Sequence, residues 1–227
     1  QGNRLRDIRY DDYINNDNNL VGFVKRTQDE DEVEPNSEVT VTYKKTFQQK
    51  GHELTTEVKY LDYWENSDQV FTERHFKPNA TEIISRNLLQ TSVNDEFEKQ
   101  WLFQLDYVKP IGKEGKFETG IRSSFRNMVN DYIVSQQNLT GGFVPLPGLD
   151  NVFVYDENIH GAYGILGNKT NRVSYQAGLR AEWTDVTTTL EITREKNPRD
   201  YVNLFPSAHL TFDLEKENGI QLSYSRR

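Results

Sequence analysis

The most regular feature of the chain is a period of two between apolar and polar positions, recurring in segments of about a dozen residues. Val39, Val41, Tyr43 and Phe47 share one parity and alternate with Thr40, Thr42, Lys44 and Gln48. Beyond Lys50, Gly51 and His52, the set Leu54, Thr56, Val58 and Tyr60 alternates with Thr55, Glu57 and Lys59. Successive side chains of a strand point to opposite faces, so each segment predicts a strand and the two together a hairpin. Trp101, Phe103, Leu105 and Tyr107, with Phe117, Thr119, Ile121, Ser123 and Phe125, predict a second hairpin turning across Pro110 to Gly115. A third pairs Phe153, Tyr155, Ile159, Tyr163 and Ile165 with Val173, Tyr175, Ala177, Leu179, Ala181 and Trp183, around Gly167 and Asn168. A fourth joins Leu204, Ala208, Leu210, Phe212 and Leu214 to Ile220, Leu222 and Tyr224 through Glu217, Asn218 and Gly219, and the last strand runs toward Arg227.

Connections inside these hairpins are short, whereas those between hairpins span 66–96, 127–152 and 185–202. In an up-and-down sheet alternate connections share an end, so this order predicts tight turns at one end and long loops at the other. Outer-membrane barrels have that asymmetry. Opposite the apolar sets stand Asp106, Glu118, Arg122, Arg126, Arg180, Glu182, His209 and Asp213, with Gly120, Ser174, Gln176 and Gly178 among them. A wet barrel lumen lined by charges and small residues explains them. So does the solvated face of a soluble sheet, such as a secreted β-sandwich whose exposed Tyr and Trp stack on sugars. Tyr43, Tyr60, Trp101, Tyr107, Tyr163, Tyr175, Trp183 and Tyr224 stand where apolar stripes end. Those positions suit membrane-interface girdles and equally suit the β-propensity of these residues.

Composition narrows the choice. The chain is polar, with 35% hydrophobic and 27% charged residues, yet 12% are aromatic, which argues against disorder. A net charge of -8 argues against binding nucleic acid, and the sequence shows no basic stripe to override it. With no cysteine there is neither a disulfide framework nor a Cys-based zinc site. No apolar run reaches the roughly 18 residues of a transmembrane helix, but barrel strands of about 9 to 11 residues escape that test. Gln1 at the start, and the lack of a signal-peptide pattern, suggest a mature or truncated chain.

Several phrases resemble one known family, the barrels of TonB-dependent receptors. Tyr43 to Leu54 (YKKTFQQKGHEL) is similar to its Y-x-x-x-F-x-x-x-G-H-x-L hairpin. Gln104 to Ser124 resembles its Q-x-D-Y-x-x-P strand and the K-x-E-x-G-x-K that follows, with Ile121 and Arg122 where an aromatic and a lysine are frequent. Phe153 to Tyr163, Tyr175 to Thr184, Asp200 to Ser207 and Leu222 to Arg227 resemble F-x-Y-x-E-x-I-x-A-x-Y, G-L-R-x-E-x-T, Y-x-x-L-F-P-S and S-Y-S-R-R. The resemblance covers 37–227 and is weaker over 1–36. It implies an all-β, antiparallel up-and-down transmembrane barrel of about 22 strands, of which this chain would supply about eight to ten. It also implies nutrient uptake, outer-membrane lipid around the wall, a TonB contact made through a plug domain that this chain does not contain, and a surface lipoprotein as a further partner. A purely structural barrel or adhesin is the other membrane reading.

No residue set calls for catalysis or a cofactor. Asp156 and Glu157 point to opposite faces of a strand and cannot act together on one bond. His52, His75, His160 and His209 lack metal-ligand spacing, and Asp29, Glu30, Asp31, Glu32 and Glu34 read as a solvated loop rather than a calcium loop. The NLT at 138–140 and NKT at 168–170 fit glycosylation acceptors, which a bacterial origin would make incidental. The candidate ligand contacts are therefore Arg122, Arg126, Arg180 and Glu182 on the lumen parity, and Tyr132 and Phe143 in the loop expected over 127–152.

Overall fold

Alternation rich in Val, Tyr, Phe and Thr folds as expected, into strands. The computed structural model describes residues 2–14, 19–214 and 218–226; Gln1, Glu217 and Arg227 lie outside the described residues. The strands are β1 (Gly2–Ile14), β2 (Asn19–Val33), β3 (Asn36–Thr46), β4 (Glu53–Phe76), β5 (Leu88–Ile111), β6 (Gly115–Gln137), β7 (Phe143–Pro145), β8 (Asn151–Thr170), β9 (Val173–Leu190), β10 (Glu195–Asp213) and β11 (Gly219–Ser225). All pair antiparallel in one sheet, in the order β1-β2-β4-β5-β6-β8-β9-β10-β11, with β3 against β4 and β7 against β6. Along that path each strand lies beside its neighbours in the chain, and the sheet does not close on itself. This is the predicted up-and-down architecture in open, partial form.

The eleven strands fill nine columns, because β2 and β3 run end to end along β4, and β7 and β8 along β6. Val33 pairs with Asn66 and Asn36 with Tyr63, so the register continues unbroken across Glu34 and Pro35. Pro35 has no N–H to give the ladder but still accepts from the Trp64 amide at 3.1 Å.

Register assigns every side chain to a face. Starting from Val41, the cross-strand pairs Val41–Val58, Val58–Phe103 and Phe103–Ser123 confirm the predicted apolar parity of β3, β4, β5 and β6. Strand β8 is different. Ile121 pairs with Ala162 and Ser123 with His160, so the stripe face of β8 carries Asn158, His160, Ala162, Gly164 and Leu166. The residues expected on that stripe (Phe153, Tyr155, Ile159, Tyr163 and Ile165) face the polar side. Strands β9, β10 and β11 return to the predicted parity through Ala162–Ala181, Ala181–Leu204 and Leu210–Leu222.

The long connections are also shorter than expected. Strands continue to Phe76, Gln137 and Leu190 and restart at Leu88, Asn151 and Glu195, so most of 66–96, 127–152 and 185–202 is strand. The third becomes a tight turn with Arg194 at φ 56°, and the turn expected at Gly167 and Asn168 falls later, at Asn171 with φ 48°. Outside the apolar stretch both faces of the strands are polar, so the period-two signal fades while the ladder goes on.

Among the described residues no second layer packs on this sheet. Among the described residues the buried apolar side chains are Phe23, Phe71, Leu102 and Val134, whereas Val41 is 64% and Ile121 57% exposed. A soluble sandwich would bury one face of each sheet, at roughly 1.5–3 kcal/mol per large apolar side chain. On this stripe face that stabilisation must come from an apolar surrounding. The stripe is bounded by rings. Toward the tight turns lie Tyr43, Tyr107, Phe117 and Tyr175. At the other limit Trp64–Phe97, Tyr60–Trp101, Phe103–Phe125, Phe125–His160 and His160–Trp183 form a chain of neighbouring rings at 4.6–6.4 Å. From Phe97 to Tyr107 is ten residues, or about 25 Å of height for a strand tilted roughly 40°. Beyond the upper rings the same face turns acidic, with directly opposed Asp31–Asp68, Asp95–Asp131 and Asp185–Asp200 pairs.

The parity of β8 is testable because the chain has no cysteine of its own. In the full-length protein, Gly161→Cys is expected to react with a water-soluble maleimide, and Ala162→Cys only with a membrane-permeant one. The reverse pattern would restore the parity read from the sequence.

Candidate functional site

The polar face gathers charge at the depth where the opposite face is apolar. On β6, Glu118, Arg122 and Arg126 alternate with Phe117, Ile121 and Phe125, so the same geometry that makes the stripe aims the charges to the other side. Strand β8 supplies Tyr155, Glu157 and Tyr163 to that face, and β9 supplies Arg180 and Glu182. The row Arg122–Gly161–Glu182 puts a glycine between the two charged residues. Without a side chain there, Arg122, Arg180 and Glu182 share a cleft of about 310 Å³ with Gln100, Ser124 and Glu157.

Most of these groups are tied to one another. Arg126 Nη2 donates to Glu98 at 2.6 Å, and its guanidinium lies 5.7 Å from the centre of the Tyr155 ring. The Tyr155 hydroxyl donates to Glu157 at 2.7 Å, and Arg180 Nε donates to Glu182. The Tyr163 hydroxyl donates to Asp106 Oδ1 at 2.7 Å, while Gln104 donates to Asp106 Oδ2 at 2.7 Å. Tyr163 reaches across because it lies over Gly120, the residue paired with both it and Asp106. A Cβ at Gly120 would sit 2.5 Å from the Tyr163 ring and 2.7 Å from the Leu105 carbonyl. Among the described residues Arg122 has no ion-pair partner, and it stands exposed over the cleft.

Four of the six candidate residues, Arg122, Arg126, Arg180 and Glu182, thus meet on one face. Tyr132 and Phe143 do not join them. Tyr132 belongs to β6, opposite Asn94 and Asn151, rather than to a loop, and stands ten residues above Arg122. Phe143 lies exposed in β7, paired with Gln137. Sequence reasoning missed Tyr155 and Tyr163 as members because it counted them with the apolar stripe. The signal that could have placed them is the small outer parity of β8, Ala162 and Gly164, against the larger residues on the inner one.

The acidic run at 29–34 is strand through Val33, not loop. Glu32, Glu34 and Glu65 have carboxylate oxygens within 4.8 Å of one another, the one set among the described residues that could hold a metal ion. They lie beyond Trp64, outside the stripe. Glu34 raises the Glu32 carboxyl above its usual range, first through a side-chain hydrogen bond and then through like charge.

With the fold and this lining in place, the chain can be classed as part of an outer-membrane β-barrel wall. Residues 45–227 match the Outer membrane protein beta-barrel family, and the chain belongs to that family. Among solved structures it is similar to the ferric citrate transporter FecA in the unliganded form, at 11% identity and a TM-score of 0.42, over 94% of this chain and 34% of that one. It therefore spans about a third of that transporter's length. No curated protein sequence matches it.

Two outcomes follow. Gly120→Ala is expected to destabilise the full-length barrel by about 1–3 kcal/mol, because the new Cβ meets backbone as well as the Tyr163 ring. Adding Tyr163→Phe should cost little more, since the hydroxyl's bond to Asp106 is already lost; urea unfolding of the single and double variants measures this. For Glu32, a folded-state pKa raised above the unfolded one means its contribution to stability is present below the ordinary glutamate range. That contribution is lost as pH rises through the raised value. Glu34→Gln should flatten this dependence in melting curves taken from pH 4 upward.

Proposed function

We propose that this wall belongs to a TonB-dependent-like receptor that takes up a nutrient too large for porins and carries no catalytic site. The observation that carries the reading is the Arg122, Arg126, Arg180 and Glu182 lining, with Asp106, Glu98 and Glu157, set at the depth of the apolar stripe. Charges at that depth suit a lumen filled by water or by a folded plug. They do not suit a small barrel filled by apolar side chains. Strand length supports the same reading: β4, β5 and β6 have 24, 24 and 23 residues, against the about 9–11 that cross a bilayer. The excess raises the wall well beyond the membrane, on the side away from the tight turns, where a surface lipoprotein could dock. The plug and its TonB contact would come from outside this chain.

The test is uptake by cells carrying the full-length gene. Loss of uptake on deleting the energy-coupling TonB protein, with the barrel still in the outer membrane and heat-modifiable on gels, is the expected result. Uptake that persists without TonB would point to a passive channel. No uptake of any candidate solute, with adhesion retained, would favour the structural-barrel reading. Arg122→Gln and Arg180→Gln should lower uptake severalfold without changing the amount of barrel in the membrane.

A further inference from the structure

Two tight turns at the lower end of the stripe face meet in a cluster of rings, and lysines flank that cluster. Phe47 stacks on His52 at 4.0 Å, and both rings stand edge-on to Tyr107, at 6.5 and 5.4 Å. A hydrogen bond of 2.9 Å joins His52 Nε2 and the Tyr107 hydroxyl. Gly51, at φ 80°, brings the β3–β4 turn so close to Pro110 that an added Cβ would sit 3.6 Å from its ring. The phrases YKKTFQQKGHEL and QLDYVKP are held to one another here. Lys45 and Lys109 share this face, each two residues below a ring of the lower border, Tyr43 and Tyr107. Both are exposed. The Lys45 ammonium lies 5.1 Å from the centre of the Phe47 ring, and neither ammonium has a carboxylate partner among the described residues. The described carboxylates at this end are engaged elsewhere: Glu53, Glu118 and Asp213 stand on the polar face, paired with Lys44, Lys116 and Lys169. Glu114, in the β5–β6 turn, acts on Lys169.

We propose that this basic border binds the headgroup of an anionic phospholipid in the leaflet beside the tight turns. The inference rests on the outer-membrane placement and not on transport. Two residues below Tyr43 and Tyr107 is about 5 Å of height at a tilt of roughly 40°, the depth at which phosphates succeed the acyl chains. A lysine suits that depth, since its stem can lie along the apolar stripe while its charge reaches the headgroup. Lys45 pairs with Leu54 and Leu54 with Tyr107, which sets Lys45 and Lys109 two strands apart, about 12 Å at the backbone. Their side chains are long enough to converge on one phosphate lying over the Phe47, His52 and Tyr107 rings. The upper border of the same stripe carries opposed aspartates instead, so an anionic headgroup is attracted to this border and repelled by the other.

The experiment uses the full-length protein in detergent, stripped of lipid, with two probes of identical acyl chains. One is phosphatidylglycerol, which is anionic; the other is phosphatidylethanolamine, which has no net charge. The wild type should prefer the first. Replacing Lys45 and Lys109 together by Gln is expected to weaken binding of phosphatidylglycerol about tenfold or more, at about fivefold for each cation near the headgroups. Binding of phosphatidylethanolamine should not change. Lys109→Gln by itself should remove part of the preference, and with no ion pair to lose it keeps the test open if the double variant fails to fold. Lys196→Gln, at the far end of the same face, should leave the preference intact. An equal preference in wild type and lysine-border variants overturns the proposal. So does full competition by glycerol phosphate without acyl chains, which would mark a site for a free anion, or an equal loss of both lipids.

Discussion

The antiparallel hydrogen-bond ladder is the interaction on which everything else in this molecule depends. Among the described residues no packed core holds the sheet together, so backbone pairing sets both its shape and the destination of each side chain. Register is conserved from Val41 on β3 to Leu222 on β11, and that constancy separates a lipid-facing stripe from a charged lining only one residue away in the chain. A slip of one residue anywhere would exchange the two faces of every strand beyond it.

Within that frame the glycines act as spacing devices. Gly120 and Gly161 lie on the charged side of neighbouring strands, and each lets a long side chain cross a column. Tyr163 spans Gly120 to reach Asp106, and Arg180 and Glu182 close over Gly161. The lining is consequently a connected network of pairs and tyrosine bonds, with Arg122 standing apart. This combination of a fixed scaffold and an Arg122 that has no ion-pair partner among the described residues suits a surface that must meet another body, whether plug segment or solute.

The sequence revealed the strands wherever one face is apolar. Val39–Tyr43, Trp101–Tyr107 and Tyr175–Trp183 alternate cleanly, and their parity is as read. It failed on β8, where Tyr155 and Tyr163 are large on the inner face and Ala162 and Gly164 small on the outer, so residue size pointed the wrong way. It failed again beyond the stripe, where Glu65 to Phe76 and Leu88 to Glu96 continue as strand without an apolar side. Proximity across strands left no trace in a single chain read linearly. Tyr163 and Asp106 become neighbours only through register, which is why their bond across Gly120 was not visible. The gathering of Arg122, Arg126, Arg180 and Glu182 was legible, because a shared parity on nearby strands is enough to bring such residues together.

The upper limit of the stripe makes this wall a gauge of membrane thickness. Asp95 and Asp185 each stand two residues above a ring of the upper chain, Phe97 and Trp183. A bilayer thicker by about one such step, roughly 5 Å of height, would submerge these carboxylates and their partners Asp131 and Asp200. A thinner one would leave Phe97 and Trp183 in water. The lipid therefore either matches the distance between the two sets of rings or deforms around the wall until it does. The acidic border fixes the height at which the protein rides, and with it the depth within the bilayer at which the charged lining is held.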